Sequence, residues 1–498
     1  MPWKTSIRDD NDLIQERFES LDALKQDGVN PYPPRFDLER TPASLQADYD
    51  YLDDDTWSED IHQTAGRIKL MRDLGQIMFV DIEHDGTTVQ LYFQADELDD
   101  YDRLDDYDLG DIIGVSGELM KTQTGEVTVD VHEHTMLSKS VRPLPDKYHG
   151  VSDDELRYRK RYLDLMMNDE TRSTFAKRTE ILRFVRNYLD SNDFLEVETP
   201  LLHSIYGGAA AEPFTTHHND LGENLFLRIS PELYLKRLLV GGYPRVYDIN
   251  KNFRNESIDT THNPEYTMLE AYQAYADYED MMQLTESLFA GACEHIHGST
   301  TTEYDGETID FAPPWPRVTM LESIEEHAGI DAGSMTADEL SEYCDEHGFD
   351  LDKKPVWGNY IQLIFEEECE EQYTQPTFII DHPESTTPLC KQTSYDDRLV
   401  ERFEPFCAGM EIANAYTELN DPVQQRERLV EQAKQREAGD DEAHPLDEDF
   451  LEAIEHGMPP AGGLGIGIDR MAMLLLDKQS IKDVILFPAM KQKESDHE

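Results

Sequence analysis

Positive charge is what this sequence most lacks. Its 498 residues hold 44 lysines and arginines against 105 aspartates and glutamates, a net of −61, or about −0.12 per residue. Such a surface repels itself and any polyanion at ordinary ionic strength. At about 1 M salt the Debye length shrinks to about 3 Å and only close pairs still interact. The composition therefore points to a salt-adapted (halophilic) protein; the alternative is an acidic protein of a low-salt cell. Arginine outnumbers lysine, which biases the remaining positive charge towards the forked, phosphate-binding type. Cysteine is scarce too. Cys293, Cys344, Cys369, Cys390 and Cys407 are odd in number and form no CxxC pair, which argues against a disulfide framework or a zinc site and fits a reducing compartment. No run approaches the roughly 18 apolar residues of a membrane span, and the N-terminus carries no basic-then-apolar signal. The expectation is a cytoplasmic protein with no membrane partner.

Hydrophobic content is 38%, enough for a folded chain, and the length calls for two domains with room for a helical insert. Residues 1–60 read as an N-terminal helical extension. Leu13, Ile14, Phe18, Leu21 and Leu24 recur at helical spacing before Gly28, and Pro31, Pro33 and Pro34 prevent resumption. Residues 61–141 hold short β-type runs (77–82, 89–93, 112–115, 127–131) parted by turns at Asp85-Gly86 and Thr124-Gly125, which suits a small barrel of the OB type. A basic, proline-containing linker covers 142–160. From 161 to 498 the pattern is α/β: a helix near 175–188, strand–loop–strand over 245–273, a helix near 277–297, an acidic helical insert at 320–375, a strand pair near 376–420, an acidic stretch at 433–450, and a closing strand and helix at 462–477.

The strongest local signal is the run 463–470. Gly463, Gly465 and Gly467 alternate with Leu464, Ile466 and Ile468, so one strand face is bare, as where a ligand or another backbone comes close. Arg470, opening the apolar helix that follows, can reach a phosphate lying over that face. The alternative is a glycine strand that merely packs tightly. A second signal is Arg254 and Glu256 at the start of a polar loop, one residue to grip an α-phosphate and the other to accept from an adenine amino group. In the returning strand Tyr266, Met268, Glu270 and Tyr272 share one face. Ordinary half-buried alternation explains most of that pattern, but a carboxylate between Met268 and Tyr272 is awkward in a core. Third, Glu404 and Glu411 suit the bridging of triphosphate through Mg²⁺, although solvated surface is the ordinary place for such carboxylates. Asn414, Tyr416 and Glu418 alternate onto one face. The odd interval from Glu411 to Asn414 requires a bulge or bend between them.

Taken together these segments resemble the class II aminoacyl-tRNA synthetases, with motif one at Pro200, motif two around Arg254 and motif three ending at Arg470. The finer spelling is similar to bacterial-type lysyl-tRNA synthetases. It includes Arg142-Pro143-Leu144-Pro145-Asp146-Lys147, Arg161-Tyr162-Leu163-Asp164-Leu165, Gly207-Gly208-Ala209-Ala210-Ala211, Pro231-Glu232-Leu233-Tyr234-Leu235-Lys236-Arg237 and Glu418-Leu419-Asn420-Asp421-Pro422. The resemblance implies an α+β protein: an OB-fold β-barrel followed by a class II catalytic domain with a mainly antiparallel sheet flanked by helices. It implies ATP, L-lysine and tRNA(Lys) as substrates, Mg²⁺ as cofactor, and a homodimer. Arg254 and Arg470 would hold the ATP phosphates; Glu256, His262, Asn263 and Tyr266 would seat the nucleotide; Glu404 and Glu411 would ligate the metal. Gly208, Glu232, Glu270, Tyr272, Asn414, Tyr416 and Glu418 would form the lysine pocket, and Arg67, Phe79 and Gln90 would read the anticodon. A long cationic side chain needs a slot ending in carboxylate, which Glu232 and Glu418 supply. Ser257 and Tyr266 depart from the usual glycine and phenylalanine of the motif-two loop.

Other readings are a ligase that modifies protein side chains, a synthetase for aspartate or asparagine, and a non-catalytic tRNA-binding regulator. The barrel disfavours the first, the acidic pocket the second and the intact arginines and glutamates the third. Two polyanions must meet if tRNA binds, so the basic strips Arg157 to Arg161 and Lys177-Arg178 are expected along its path. The charge makes its own prediction: thermal melts should show a higher Tm in molar KCl than after desalting, and an unchanged Tm would rule out salt adaptation.

Overall fold

In the computed structural model the described residues are 11–145, 153–351, 353–437 and 443–491. Asp146, Lys147 and residues 438–442 of the acidic stretch lie outside them. The chain divides into two compact units, residues 1–172 and 173–498.

The first unit opens on helix Asp12–Gln26, capped by the Asn11 side chain. Ile14, Leu21 and Leu24 are buried, but Leu13 is 56% exposed; it lies off the stripe that its apolarity suggested. A second helix, Pro42–Tyr49, leads into a closed five-stranded barrel. Four of its strands, Ile77–His84, Thr87–Gln94, Ile112–Lys121 and Val127–Ser138, contain the four predicted runs. The longest, Thr56–Asp73, begins inside the segment read as helical extension. Its polar start (Ser58, Glu59, Asp60, His62, Gln63) hid it, because only one face meets the core and its rim is wet. Ile68, Ile82, Leu91, Phe93 and Leu119 fill the barrel with no exposure. The stretch read as linker contains helix Asp154–Arg159. Three arginines of the expected basic strip are engaged within the unit: Arg161 is buried against Asp164 at 2.5 Å, Arg157 meets Asp154 and Asp164, and Arg159 meets Glu155.

The second unit is built on one large sheet. Its strands run in the order Arg317–Thr319, Thr377–Pro383, Leu399–Cys407, Ala413–Thr417, Ala461–Gly467, Glu265–Ala274, Arg245–Phe253, Leu195–Glu196. All neighbours are antiparallel except the pair at each edge. Parallel strands need a crossover, and this accounts for the region read as an insert. Helices Met320–His327, Ala337–His347 and Trp357–Glu368 are the connection between the parallel strands Arg317–Thr319 and Thr377–Pro383. One face of the sheet packs on Ile181, Val185 and Leu189 from helix Asp169–Ser191, on Leu288, Phe289 and Ala292 from helix Tyr278–His297, and on Met471 to Leu475 from helix Ile468–Leu475. Alternation does the rest. Leu269 and Ala271 point into that core, so Met268, Glu270 and Tyr272 point to the opposite face.

Among the described residues no helix is long and apolar enough to cross a membrane. All five cysteines are free and buried, and burial pushes the thiols of Cys293 and Cys369 up to about 11.

A buried ion pair ties the segment at Thr199 to strand Arg245–Phe253. Arg228 Nη1 donates to Asp248 Oδ2 at 2.8 Å and to Thr199 Oγ1 at 2.8 Å, and Thr199 Oγ1 donates to the same Asp248 oxygen. Neither charge reaches solvent to any extent. Arg228→Leu leaves Asp248 buried and uncompensated and should destabilise the unit by about 3–5 kcal/mol. Arg228→Leu with Asp248→Leu should recover most of that loss in chemical denaturation.

Candidate active site

The open face of the sheet borders a cavity of about 350 Å³. Three adjacent strands make its floor: Glu265–Ala274 on one side, the glycine strand in the middle, and Ala413–Thr417 on the other. Register places Met268 opposite Gly467, Glu270 opposite Gly465, and Tyr272 opposite Gly463. The bare face is therefore the floor. A Cβ at Gly463 would overlap Glu418 Oε1 and lie 2.5 Å from the Tyr272 ring, and one at Gly465 would press on Met268. Neighbouring side chains close over the glycines, a use that the sequence reading assigned to a ligand or a backbone.

Arg254 and Arg470 both line this cavity. Arg254 lies over the Tyr266 ring at 5.5 Å, and its Nε is buried with no hydrogen-bond partner among the described residues, as is Tyr266 Oη. Arg470 Nη1 donates to the Glu411 carbonyl at 2.6 Å and faces its carboxylate at 3.5 Å. Its Nη2 lies 3.1 Å from His262 Nε2. His262 Nδ1 faces both Asp259 oxygens, at 2.9 and 3.1 Å, so the proton belongs on Nδ1 and Nε2 accepts from the arginine. Asp469 seats this corner. It accepts from Thr267 N at 2.7 Å and from Arg178 Nη2 at 2.6 Å, so Arg178 too is committed inside the unit and not to a basic strip. Glu256 lines the mouth. Asn263 also lines the cavity, but its amide holds the turn: Nδ2 donates to the Glu265 carbonyl at 2.6 Å and Oδ1 accepts from Ala489 N at 3.0 Å.

Glu404 and Glu411 reach the same cavity from strands that differ in register. Met410–Glu411 turns back on Leu399–Cys407, with Glu411 opposite Phe406, whereas Tyr416 lies opposite Arg402. The pairing slips by one residue across Ile412, the bend that the odd interval demanded. Glu404 is paired with Arg402 and accepts from Asn414 Nδ2 at 3.0 Å. Burial and then the charge of Glu404 hold the Glu411 carboxyl above its usual range, opposed by Arg470, Arg402 and Arg254. Glu370 beside them is pushed up to about 7 by burial and by Glu411, Glu366 and Glu404. Like charges crowded in this way suit a hard cation. Among the described residues no group of three or more His, Cys, Asp or Glu is arranged to hold an ion by itself. Magnesium usually takes only one or two carboxylates and completes its shell with phosphate and water, so this donor set fits an ion that arrives with a triphosphate.

The remainder of the cavity is a slot around Glu232 and Glu270, both nearly inaccessible. Gly208 forms its lip with φ +89°, and a Cβ there would fall 2.8 Å from Ser230 Oγ and 2.9 Å from Glu232 Cβ. Ser230 Oγ donates to Glu270 Oε1 at 2.8 Å and accepts from Glu232 N at 3.0 Å; Tyr272 Oη donates to Glu270 Oε2 at 3.2 Å. Burial, then the charge of Glu232, raises the Glu270 carboxyl to about 8. Asn414 and Tyr416 line the cavity, but Asn414 turns its amide to Glu404 and Arg402. Glu418 does not line it. It is fully buried behind Gly463 and is paired with Lys236, which also meets Glu232 at 2.5 Å. The carboxylate end of the slot thus contains a cation of its own.

On the barrel, Met78, Val80 and Ile82 face inward, so Phe79 faces out. Its ring lies 5.0 Å from Tyr92 and 5.8 Å from the Arg72 guanidinium. Gln90, two residues from Tyr92 on the same face, donates to Glu126 at 2.9 Å and accepts from Thr128 at 3.1 Å. Arg67 donates to the Gly110 carbonyl at 2.7 Å. The three expected readers therefore share the outer side of adjacent strands, two of them already hydrogen-bonded within the barrel.

Sequence reasoning missed Ser230, Lys236, Asp259, Arg402 and His444 in the main cavity or against it. Ser230 before Pro231-Glu232 carries a helix-start signal. Lys236, four residues after Glu232, looks like a routine surface pair on a helix.

The family described as tRNA synthetases class II (D, K and N) matches residues 153–491, and that described as OB-fold nucleic acid binding domain matches residues 63–137. A lysine–tRNA ligase of Pelotomaculum thermopropionicum is 50% identical over 490 residues, 97% of this chain and 96% of that one. Those of Enterococcus faecalis and Clostridium novyi are each 48% identical over 97% of this chain, covering 98% and 95% of their own lengths. Both the extent of the family match and this level of identity along the chain give the same assignment: it belongs to the class II tRNA synthetases and, within them, to the lysine–tRNA ligase family.

Proposed function

We propose that this chain activates L-lysine with ATP and transfers it to the 3′ end of tRNA(Lys), and that both steps occur in the cavity above. The observation that carries the reading is that Arg254 and Arg470 share one cavity with the acidic slot of Glu232 and Glu270. The lysine carboxylate attacks the α-phosphorus of ATP in line, forming an oxygen–phosphorus bond as pyrophosphate leaves. The terminal ribose hydroxyl of tRNA then attacks the adenylate carbonyl and releases AMP. No side-chain nucleophile is required; positioning and charge compensation do the work. Arg254, with a buried unpartnered donor, grips the α-phosphate, and Arg470, steadied by His262, takes the far end of the triphosphate. Tyr266 stacks the adenine and Glu256 accepts from its amino group. Glu404 and Glu411 hold Mg²⁺, which when bound neutralises phosphate charge. Glu270, Glu232 and the lip at Gly208 receive the ammonium groups of lysine.

Phe79 stacks an anticodon base, with Arg67 and Gln90 hydrogen-bonding beside it. The enzyme works as a cytoplasmic homodimer joined through motif one, in a salt-rich cell where screening lets two polyanions approach. A ligase for aspartate or asparagine would need an uncommitted cation in the slot, and Lys236 has a carboxylate on each side.

Arg254→Ala should lower lysine-dependent ATP–pyrophosphate exchange by about 10²–10³-fold; near-normal exchange would remove Arg254 from its role. Glu232→Gln should raise the KM for lysine by about 10–100-fold, the worth of one charge-assisted hydrogen bond, with the KM for ATP almost unchanged.

A further inference from the structure

A lysine lies buried at the end of the slot that we assign to lysine. Lys236 follows Glu232 by one turn on helix Glu232–Val240 and exposes nothing to solvent. Its ammonium meets Glu232 at 2.5 Å, is paired with Glu418, and sits 5.5 Å from the Tyr416 ring and 6.0 Å from the Phe450 ring. Among the described residues it makes the only ion pair of either carboxylate. Burying one ammonium and two carboxylates is expensive, several kcal/mol per ion before compensation. Packing alone does not call for it, because an apolar chain would fill the space.

Charge counting supplies a reason. Two carboxylates and one fixed ammonium leave one unit of negative charge, the complement of one incoming ammonium. Of the groups packed around the trio, the tyrosines, the thiol and the histidine add no charge at neutral pH. Tyr272, Tyr416 and Cys390 are pushed far above their usual ranges by burial, and His444 is pushed down to about 4 by burial and by Lys236. Glu270 is the remaining carboxylate, with Ser230, Tyr272 and the charges of Arg228 and Glu232 around it. Burial and the charges of Glu232 and Glu270 push Glu418 well above the usual carboxylate range, and the paired Lys236 ammonium is the group that opposes them.

We propose that Lys236 is a specificity-determining residue: a built-in counter-ion that lets Glu232 and Glu418 lie side by side at the end of the slot and offsets one of their two charges. The slot therefore accepts an amino acid carrying one ammonium on its side chain and discriminates against an uncharged side chain of equal length. This rests on the assignment of the slot to lysine.

The test is a charge-count cycle on the full-length enzyme in molar KCl, read as KM for lysine, KM for ATP and kcat in pyrophosphate exchange, with norleucine as the uncharged comparison. Glu418→Gln leaves the trio neutral and should raise the KM for lysine by about 10–100-fold. Lys236→Met leaves two unpaired carboxylates and should raise it similarly. In Lys236→Met the KM should also fall as the pH rises from about 6 to about 9, because carboxylates that have lost their cation bind protons and must release them before taking an ammonium. Lys236→Met combined with Glu418→Gln restores one net negative charge. It should bind lysine at least tenfold better than Glu418→Gln alone, with preference over norleucine regained. Since it removes both partners, it also keeps the test alive if Lys236→Met does not fold. A double variant no better than Glu418→Gln overturns the proposal, as does Lys236→Met with a lower KM for lysine, which would mark Lys236 as an internal competitor. If Glu232→Gln and Glu418→Gln both leave the KM for lysine unchanged, it is the slot assignment that fails.

Discussion

The bare face of the strand Ala461–Gly467 is the constraint on which the site depends. It lies between two strands whose alternate side chains must all project to one side: Met268, Glu270 and Tyr272 from one neighbour, Asn414 and Tyr416 from the other. Strands in a sheet are only about 4.8 Å apart, so three adjacent rows of full side chains would fill the space they enclose. Removing the middle row opens the cavity, and at Gly463 it lets Glu418 and Tyr272 come together where a methyl group would overlap both. The same strand leads into the helix that carries Asp469 and Arg470, so the floor of the cavity and that arginine belong to one continuous segment.

Electrostatics divides the cavity into two parts. Towards the motif-two loop, Arg254, Arg402 and Arg470 confront Glu404, Glu411 and Glu370, with like charges crowded on both sides. Further in, Glu232, Glu270 and Glu418 outnumber Lys236. Hydrogen bonds hold each part in shape: His262 with Asp259 at the first, Ser230 and Tyr272, both donating to Glu270, at the second.

Much of this was legible before any coordinates. Period-two alternation in 266–272 and the glycine spacing of 463–467 put these residues on the one face that borders the cavity, and the parity argument between Glu411 and Asn414 located a real slip in register. What escaped has physical causes. The first barrel strand is polar at its start and lacks an apolar rhythm. The crossover helices read as an insert because strand direction is not written in composition. Lys236 and Arg402 are charged, and charged residues are ordinarily at the surface; only the fold shows them enclosed by carboxylates. For the same reason the basic run at 157–161 looked available, whereas Arg157, Arg159 and Arg161 are each spent on an acidic neighbour.

The five cysteines carry a consequence of a different kind. Each is enclosed, unpaired and held in its protonated form by its surroundings. Thiolate, not thiol, is what alkylating and maleimide reagents attack. The native fold is therefore nearly silent towards them, and a single cysteine placed on the surface becomes the one position that takes a fluorophore or a spin label. Two such cysteines, one on the barrel and one on the catalytic unit, would report the distance between them through a turnover without stripping the protein of its own sulfur.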